Sequence, residues 1–178
     1  MPRYVALLGS INVGGNRLKM ADLKAAMERA GFGQVETVVA SGNVLFDHAG
    51  AADAKLEGEI AGIVKDGFGI DTFAAVRTKD ELEAALAESP FAGKGEDKLV
   101  HVHFLAGQPT KAQFEKLVAD HEGRGDEKLA PGTRALHIDF VSGVGNSKLT
   151  GPFIERRLGC KGTARNVRSL RRIIEKLG

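Results

Sequence analysis

A chain of 178 residues, 43% hydrophobic and 27% charged, has room for one domain or two small ones and the composition of a globular protein. No apolar run approaches the roughly 18 residues of a membrane span, a single cysteine, Cys160, excludes an internal disulfide, and the absence of Trp argues against an extended base-stacking platform. The net charge of +2 is unevenly spread: residues 148–178 hold nine Lys/Arg against Glu155 and Glu175, a net +7 that leaves the preceding residues at −5. A basic end on an acidic body points to an anionic partner, or to docking of the tail on its own body. The lone cysteine, and an N-terminus that enters a strand pattern without a signal peptide's basic start and apolar core, make a cytoplasmic location the expectation.

Residues 4–13, YVALLGSINV, read as a buried strand. Met20, Leu23, Met27 and Ala30 recur at helical spacing, with Gly31 as the stop. QVETVVAS and NVLFDHA are β-rich runs joined near Ser41, Gly42 and Asn43, a hairpin signal. Asp53 is placed to cap a second helix carrying Leu56, Ile60, Ile63 and Val64, and IDTFAAVR is a further strand. This order, βαββαβ, predicts a ferredoxin-like plait.

Thr78 and Glu81 form a capping box before a short helix, and AGKGEDK reads as a loop between halves. LVHVHFLAG alternates like a strand. Thr110 and Gln113 make a second capping box, and EKLA and TRALHIDFV read as strands around a Pro131–Gly132 turn. Pro152 suits a helix's first turn. Asn166 is placed to cap a last helix with Val167, Leu170, Ile173, Ile174 and Leu177 on its apolar side. The fold class expected is therefore α+β, with two ferredoxin-like halves of βαββαβ type and a C-terminal helical tail. The expected boundaries are 1–78 for the first plait, 79–147 for the second plait-like half, and 148–178 for a basic helical tail packed on the body.

The stretches LLGSINVGGNRLKMADLKAAMERAGF, VETVVASGNVLF, GNSKL and GTARNVRSL resemble the DUF1697 family, bacterial proteins of unknown function. The resemblance covers essentially the whole chain. It implies plait-like halves and no established activity. By position it picks out Asn12, Val13, Gly14, Gly15, Met20, Ser41, Gly42, Asn43, Ser147, Lys148, Thr163, Arg165 and Asn166. This chain departs from the family in having Gly9-Ser10 where Arg-Gly is usual, and in lacking an aromatic at Val38 and Val167.

Four groupings carry chemistry. The loop GSINVGGNR has the Gly9–Gly14 spacing that opens a Walker A loop, but Gly15 and Asn16 replace the Lys and Ser/Thr, which argues against triphosphate hydrolysis. What remains is a glycine-rich loop whose backbone N–H groups attract anions, read against a plain strand-to-helix connection. SGN alone is a hairpin turn. Strand order, however, brings this hairpin and the loop after the first strand to one end of the sheet, so Asn12, Gly14, Gly15, Asn16, Ser41, Gly42 and Asn43 are candidates for one polar pocket. In the tail, Arg168, Arg171 and Arg172 fall at i, i+3 and i+4, behind Lys161, Thr163, Arg165 and Asn166. Thr163, Arg165, Asn166, Arg168 and Arg172 complete the ligand-binding set, read against a solvated face.

Fourth, His101 and His103 alternate along one strand and His137 and Asp139 along another. If these strands share a sheet, the four polar groups are expected to gather on its non-helical face, where they could bind Zn²⁺ or act as acid and base. The spacing matches no metal motif, and neither a metal nor a cofactor is assigned. Cys160 stands in a basic setting without an identifiable partner histidine. The leading expectation is binding of an anionic or nucleotide-like ligand, nucleic acid included. The rivals are a small-molecule enzyme using the loop pocket, with His137 or Asp139 as acid or base, and a structural or protein-interaction module.

Overall fold

The computed structural model describes residues 1–9, 11, 17–38 and 42–178. They form two compact units, residues 1–82 together with 171–178, and residues 83–170. The first contains β1 (Arg3–Leu8), α1 (Met20–Arg29), β2 (Gly33–Thr37), β3 (Asn43–Asp47), α2 (Ala54–Phe68) and β4 (Ala74–Arg77). Its strands pair antiparallel in the order β2-β3-β1-β4, the ferredoxin-like plait that the βαββαβ order predicts. Alternation along β1 sends Tyr4, Ala6 and Leu8 toward a core shared with Leu23 and Met27 of α1 and Leu56, Ile60 and Val64 of α2. Val5, Leu7, Leu45 and Ala75, on the opposite face, are buried as well, which is why β1 reads as a continuous apolar run.

Next come α3 (Lys79–Glu88), β5 (Val100–Leu105), α4 (Lys111–His121), β6 (Lys128–Gly132), β7 (Ala135–Asp139), α5 (Gly151–Leu158), β8 (Gly162–Asn166) and α6 (Val167–Leu177). The second sheet has the order β6-β7-β5-β8, again antiparallel. This is a second βαββαβ plait, so the two halves share one fold. Leu105, Leu136 and Ile138 pack under Phe114 and Leu117 of α4 and Ile154 and Leu158 of α5.

Local signals position the helices. Asp53 accepts from Leu56 N at 3.0 Å. Thr78 with Glu81 and Thr110 with Gln113 form reciprocal capping boxes. Asn166 Oδ1 accepts from Ser169 N at 2.8 Å at the start of α6. Each such cap contributes about 1 kcal/mol. Gly31, with φ +95°, ends the α1 turn, and Gly42, with φ +86°, takes the left-handed backbone of the β2–β3 connection.

Three features differ from the sequence reading. The first strand ends at Leu8 rather than residue 13. Pro131 and Gly132 lie inside β6, and the turn falls two residues later, at Thr133 and Arg134 (φ +48°). An edge strand tolerates a proline, because the missing N–H can face outward. Residues 162–166, read as part of a helical tail, form β8. GTARN has no apolar alternation, and its pairing along β5 is what makes it a strand.

One buried ion pair stands out in the first unit. Arg77 Nη1 lies 3.0 Å from Glu57 Oε2, and both residues are 5% exposed or less. The same carboxylate oxygen accepts from Val76 N at 2.9 Å, serving an N–H of β4, an edge strand of this sheet. Removing one partner leaves a buried uncompensated charge, which costs about 3–5 kcal/mol. Arg77→Ala is expected to destabilise the protein by that amount in urea unfolding. Arg77→Met combined with Glu57→Gln, which keeps an acceptor for Val76 N, is expected to recover most of the loss.

Candidate functional site

Of the loop residues singled out in the sequence, Asn12, Gly14, Gly15, Asn16 and Ser41 lie outside the described residues. Their described neighbours do converge. Leu8 N, at the end of β1, donates to Gly42 O at 2.8 Å, and Gly42 N lies 3.4 Å from Met20 Sδ at the start of α1. The end of β1 and the β2–β3 connection thus share one end of the first sheet. Asn43 opens β3 opposite Leu7 and is buried.

The tail candidates fall on β8 and α6. Thr163 is buried, and Arg165 Nη1 donates to its Oγ1 at 2.8 Å and to Ala164 O at 2.9 Å. Desolvation pulls the Arg165 guanidinium down to about 10, which leaves it cationic at neutral pH. Asn166 spends its side-chain oxygen on the α6 cap. Arg168 and Arg172 are exposed on α6, while Val167, Leu170 and Ile173 of the same helix are buried.

The histidine cluster does not assemble. His137 pairs with Val102, and Asp139 with Val100. In an antiparallel ladder, directly opposed residues share a face. His137 and Asp139 therefore lie on the face opposite His101 and His103, which share theirs with Leu105, Leu136 and Ile138 under α4 and α5. Among the described residues no group of three His, Cys, Asp or Glu side chains is arranged to hold a metal. His137 is fully buried, with Nε2 2.8 Å from Glu88 Oε1. A carboxylate only accepts, so Nε2 carries the proton.

His103 is 5% exposed, and its Nε2 has no hydrogen-bond partner among the described residues. Its ring packs on Gly162, where a Cβ would come within 2.6 Å of Cδ2 and Nε2. Burial, with a smaller push from His101, drives its pKa down to about 4. His101, whose Nδ1 sits 3.1 Å from Leu99 O and whose ring meets Phe140 edge-on, is also lowered by burial. His103 is thus a core histidine held neutral, with the half-buried His101 beside it on the same strand face.

A site that sequence pattern reveals only in part lies at the start of α5. A cleft of about 530 Å³ is lined by Arg124, Lys148, Arg156 and Arg157, with Ser147, Thr150 and Phe153 among its walls. The guanidinium carbons of Arg157 and Arg124 lie 3.6 and 4.4 Å from the Phe153 ring centroid, within cation–π range. Arg157 is also bonded to Asp120 at 3.1 Å. Arg124, Lys148 and Arg156 are exposed and have no ion-pair partner among the described residues. Ser147 and Thr150 fold the entry, accepting from Leu149 N and Phe153 N. Ser147 and Lys148 stand in the stretch GNSKL, which the sequence resemblance singles out. Arg124 follows α4, too far away in sequence for any local pattern to connect it.

Two successive antiparallel plaits, each βαββαβ, make this a tandem ferredoxin-like protein. The chain belongs to the DUF1697 family: the model of that family, described as a protein of unknown function, matches residues 1–137. A solved structure, the conserved bacterial protein SP0830 from Streptococcus pneumoniae, has the same fold, with a TM-score of 0.74 at 22% identity, covering 99% of this chain and 98% of that one. No curated protein matches.

The buried histidines set a pH dependence. A histidine lowered from 6.5 to about 4 binds its proton more readily when unfolded, so it favours unfolding as pH falls from 6.5, and the effect is complete below about 4. For His103 this amounts to about 3 kcal/mol. Wild-type stability in urea is expected to drop between pH 7 and 4.5. His103→Phe, with a ring of similar size, is expected to drop distinctly less.

Proposed function

We propose that this protein binds a phosphate-bearing polyanion, nucleic acid being the class tested, through the basic cleft at the start of α5. The observation that carries the reading is the convergence of Arg124, Lys148 and Arg156 with Arg157 on one cleft, inside or beside the stretch that carries a net +7. Cations left without carboxylate partners in a concave site raise the local concentration of anions. Arginine adds bidentate contact with phosphate oxygens. Arg168, exposed at the start of α6 in the same unit, adds a further cation.

A second part of the proposal is a polar pocket at the end of the first sheet, formed by Asn12, Gly14, Gly15, Asn16, Ser41, Gly42 and Asn43. The Leu8–Gly42 hydrogen bond supports it by joining the two chain segments that carry these residues. The acid–base alternative loses its basis in a histidine cluster, since His137 is sealed from solvent and committed to Glu88.

Counterion release gives the test. If the three uncompensated cations each neutralise one phosphate, the slope of log affinity against log salt is about −2.7 for duplex DNA, and affinity falls about 40-fold from about 50 to 200 mM salt. Electrophoretic shift with a short duplex and with a single strand is expected to show this dependence. Lys148→Glu with Arg156→Glu is expected to abolish the shift without changing the far-UV circular dichroism. No shift at low salt would overturn the reading.

A further inference from the structure

A second cleft in residues 83–170 has the opposite character. It encloses about 730 Å³ between α4 and the edge strand β6, and its walls are largely apolar, with Pro109, Phe114, Val118 and Pro131 among them. Val118 is 48% exposed, one of only four large hydrophobics among the described residues that are exposed. Three carboxylates, Glu88, Glu115 and Glu122, line the cleft against one cation, Lys111, which stands 3.8 Å from Glu115.

Glu88 is the fixed polar group. Its Oε1 accepts from His137 Nε2 at 2.8 Å and Thr133 N at 2.9 Å, and its Oε2 from Thr133 Oγ1 at 2.7 Å. Gly132 runs directly beside this group: a Cβ there would meet Glu88 Oε1 at 2.5 Å and His137 Nε2 at 2.7 Å. The carboxylate is thus held in place before any ligand arrives, with about a third of its side chain open to solvent. Preorganisation of this kind lowers the ordering penalty of binding.

We propose that this cleft binds a small organic cation with an apolar body, its ammonium group on Glu88 and its body along Phe114, Val118 and Pro131. The volume lies in the range of small-molecule sites, and one placed charge on an apolar wall is their usual make-up. Charge complementarity fixes the sign of the ligand. A peptide adding itself as a strand to β6 is disfavoured, because Pro131 supplies no N–H to pair with it. Burial pushes the Glu88 carboxyl up, but the hydrogen bonds from His137 and Thr133 outweigh it and leave the group below its usual value. That suits a standing anion better than a general base.

The test is a titration of the full chain with 4-phenylbutylamine, followed by amide NMR at neutral pH, with 4-phenylbutyrate and 4-phenylbutanol as the matched anion and neutral probe. The amine is expected to give saturable shifts at Phe114, Val118 and Thr133 with a Kd below about 1 mM. Glu88→Gln is expected to weaken it at least tenfold. Val118→Lys, at an exposed position, is expected to abolish it with the fold intact, and this variant decides the matter if Glu88→Gln does not fold. Lys148→Glu with Arg156→Glu is expected to leave amine binding unchanged. The absence of saturable shifts, equal binding of the anion or the alcohol, or a Val118→Lys protein that binds like wild type would overturn the proposal.

Discussion

The second unit depends on the pairing of β5. This strand takes β7 on one side and β8 on the other, so its phase decides the face of every side chain on three strands. With Val102 opposed to both His137 and Arg165, those two polar groups share one face of the sheet. His101 and His103 are sent to the other, under the helices. A shift of one residue would exchange the faces. It would carry Leu136 and Ile138 out of the core they form with α4 and α5, and the hydrophobic term that opposes such a shift amounts to about 1.5–3 kcal/mol per large side chain. Apolar burial is thus what holds His137 against Glu88 and keeps His103 neutral.

The two clefts lie on elements that answer to this same core. Phe114 and Leu117 anchor α4, and Ile154 and Leu158 anchor α5. The outward residues of each helix are then free to carry charge. On α4 the exposed side chains give the acidic cleft Glu115 and Lys111. On α5 the basic cleft takes the exposed Arg156 and the half-buried Arg157. Between the helices, Asp120 of α4 bridges Arg157 of α5 and Lys116, and those hydrogen bonds hold its carboxyl below the ordinary range. In this exposed setting the bridge orients Arg157 more than it stabilises the fold.

What was legible in the sequence was mostly local. Asp53, Thr78 with Glu81, Thr110 with Gln113, and Asn166 announced helix starts, because a cap is a bond between residues three apart. The βαββαβ order was legible because apolar periodicity changes where strand gives way to helix. Longer-range facts were not. Alternation shows that His101 and His103 share a face, and that His137 and Asp139 do, but not that the two pairs face opposite ways, since the relative phase of two strands is set by tertiary packing. β8 was hidden because GTARN has no pattern of its own. The basic cleft was half visible: the charge excess of residues 148–178 located Lys148 and Arg156, while Arg124 joins them only in space. The charge of Glu88 was unremarkable on the page, and its importance comes from two partners about 45 residues and more away.

The division of the chain also bears on how it is made. Residues 171–178 belong with residues 1–82, and Lys176 reaches Glu36 of β2 at 3.1 Å. During synthesis from the N-terminus, the first plait therefore emerges well before the last piece of its own unit, with the whole of the second plait made in between. Domains generally fold as they are completed. Here the first to emerge is the last to be completed, so the early plait must wait with part of its surface uncovered, and a ribosome stalled within the second unit would display it in that state.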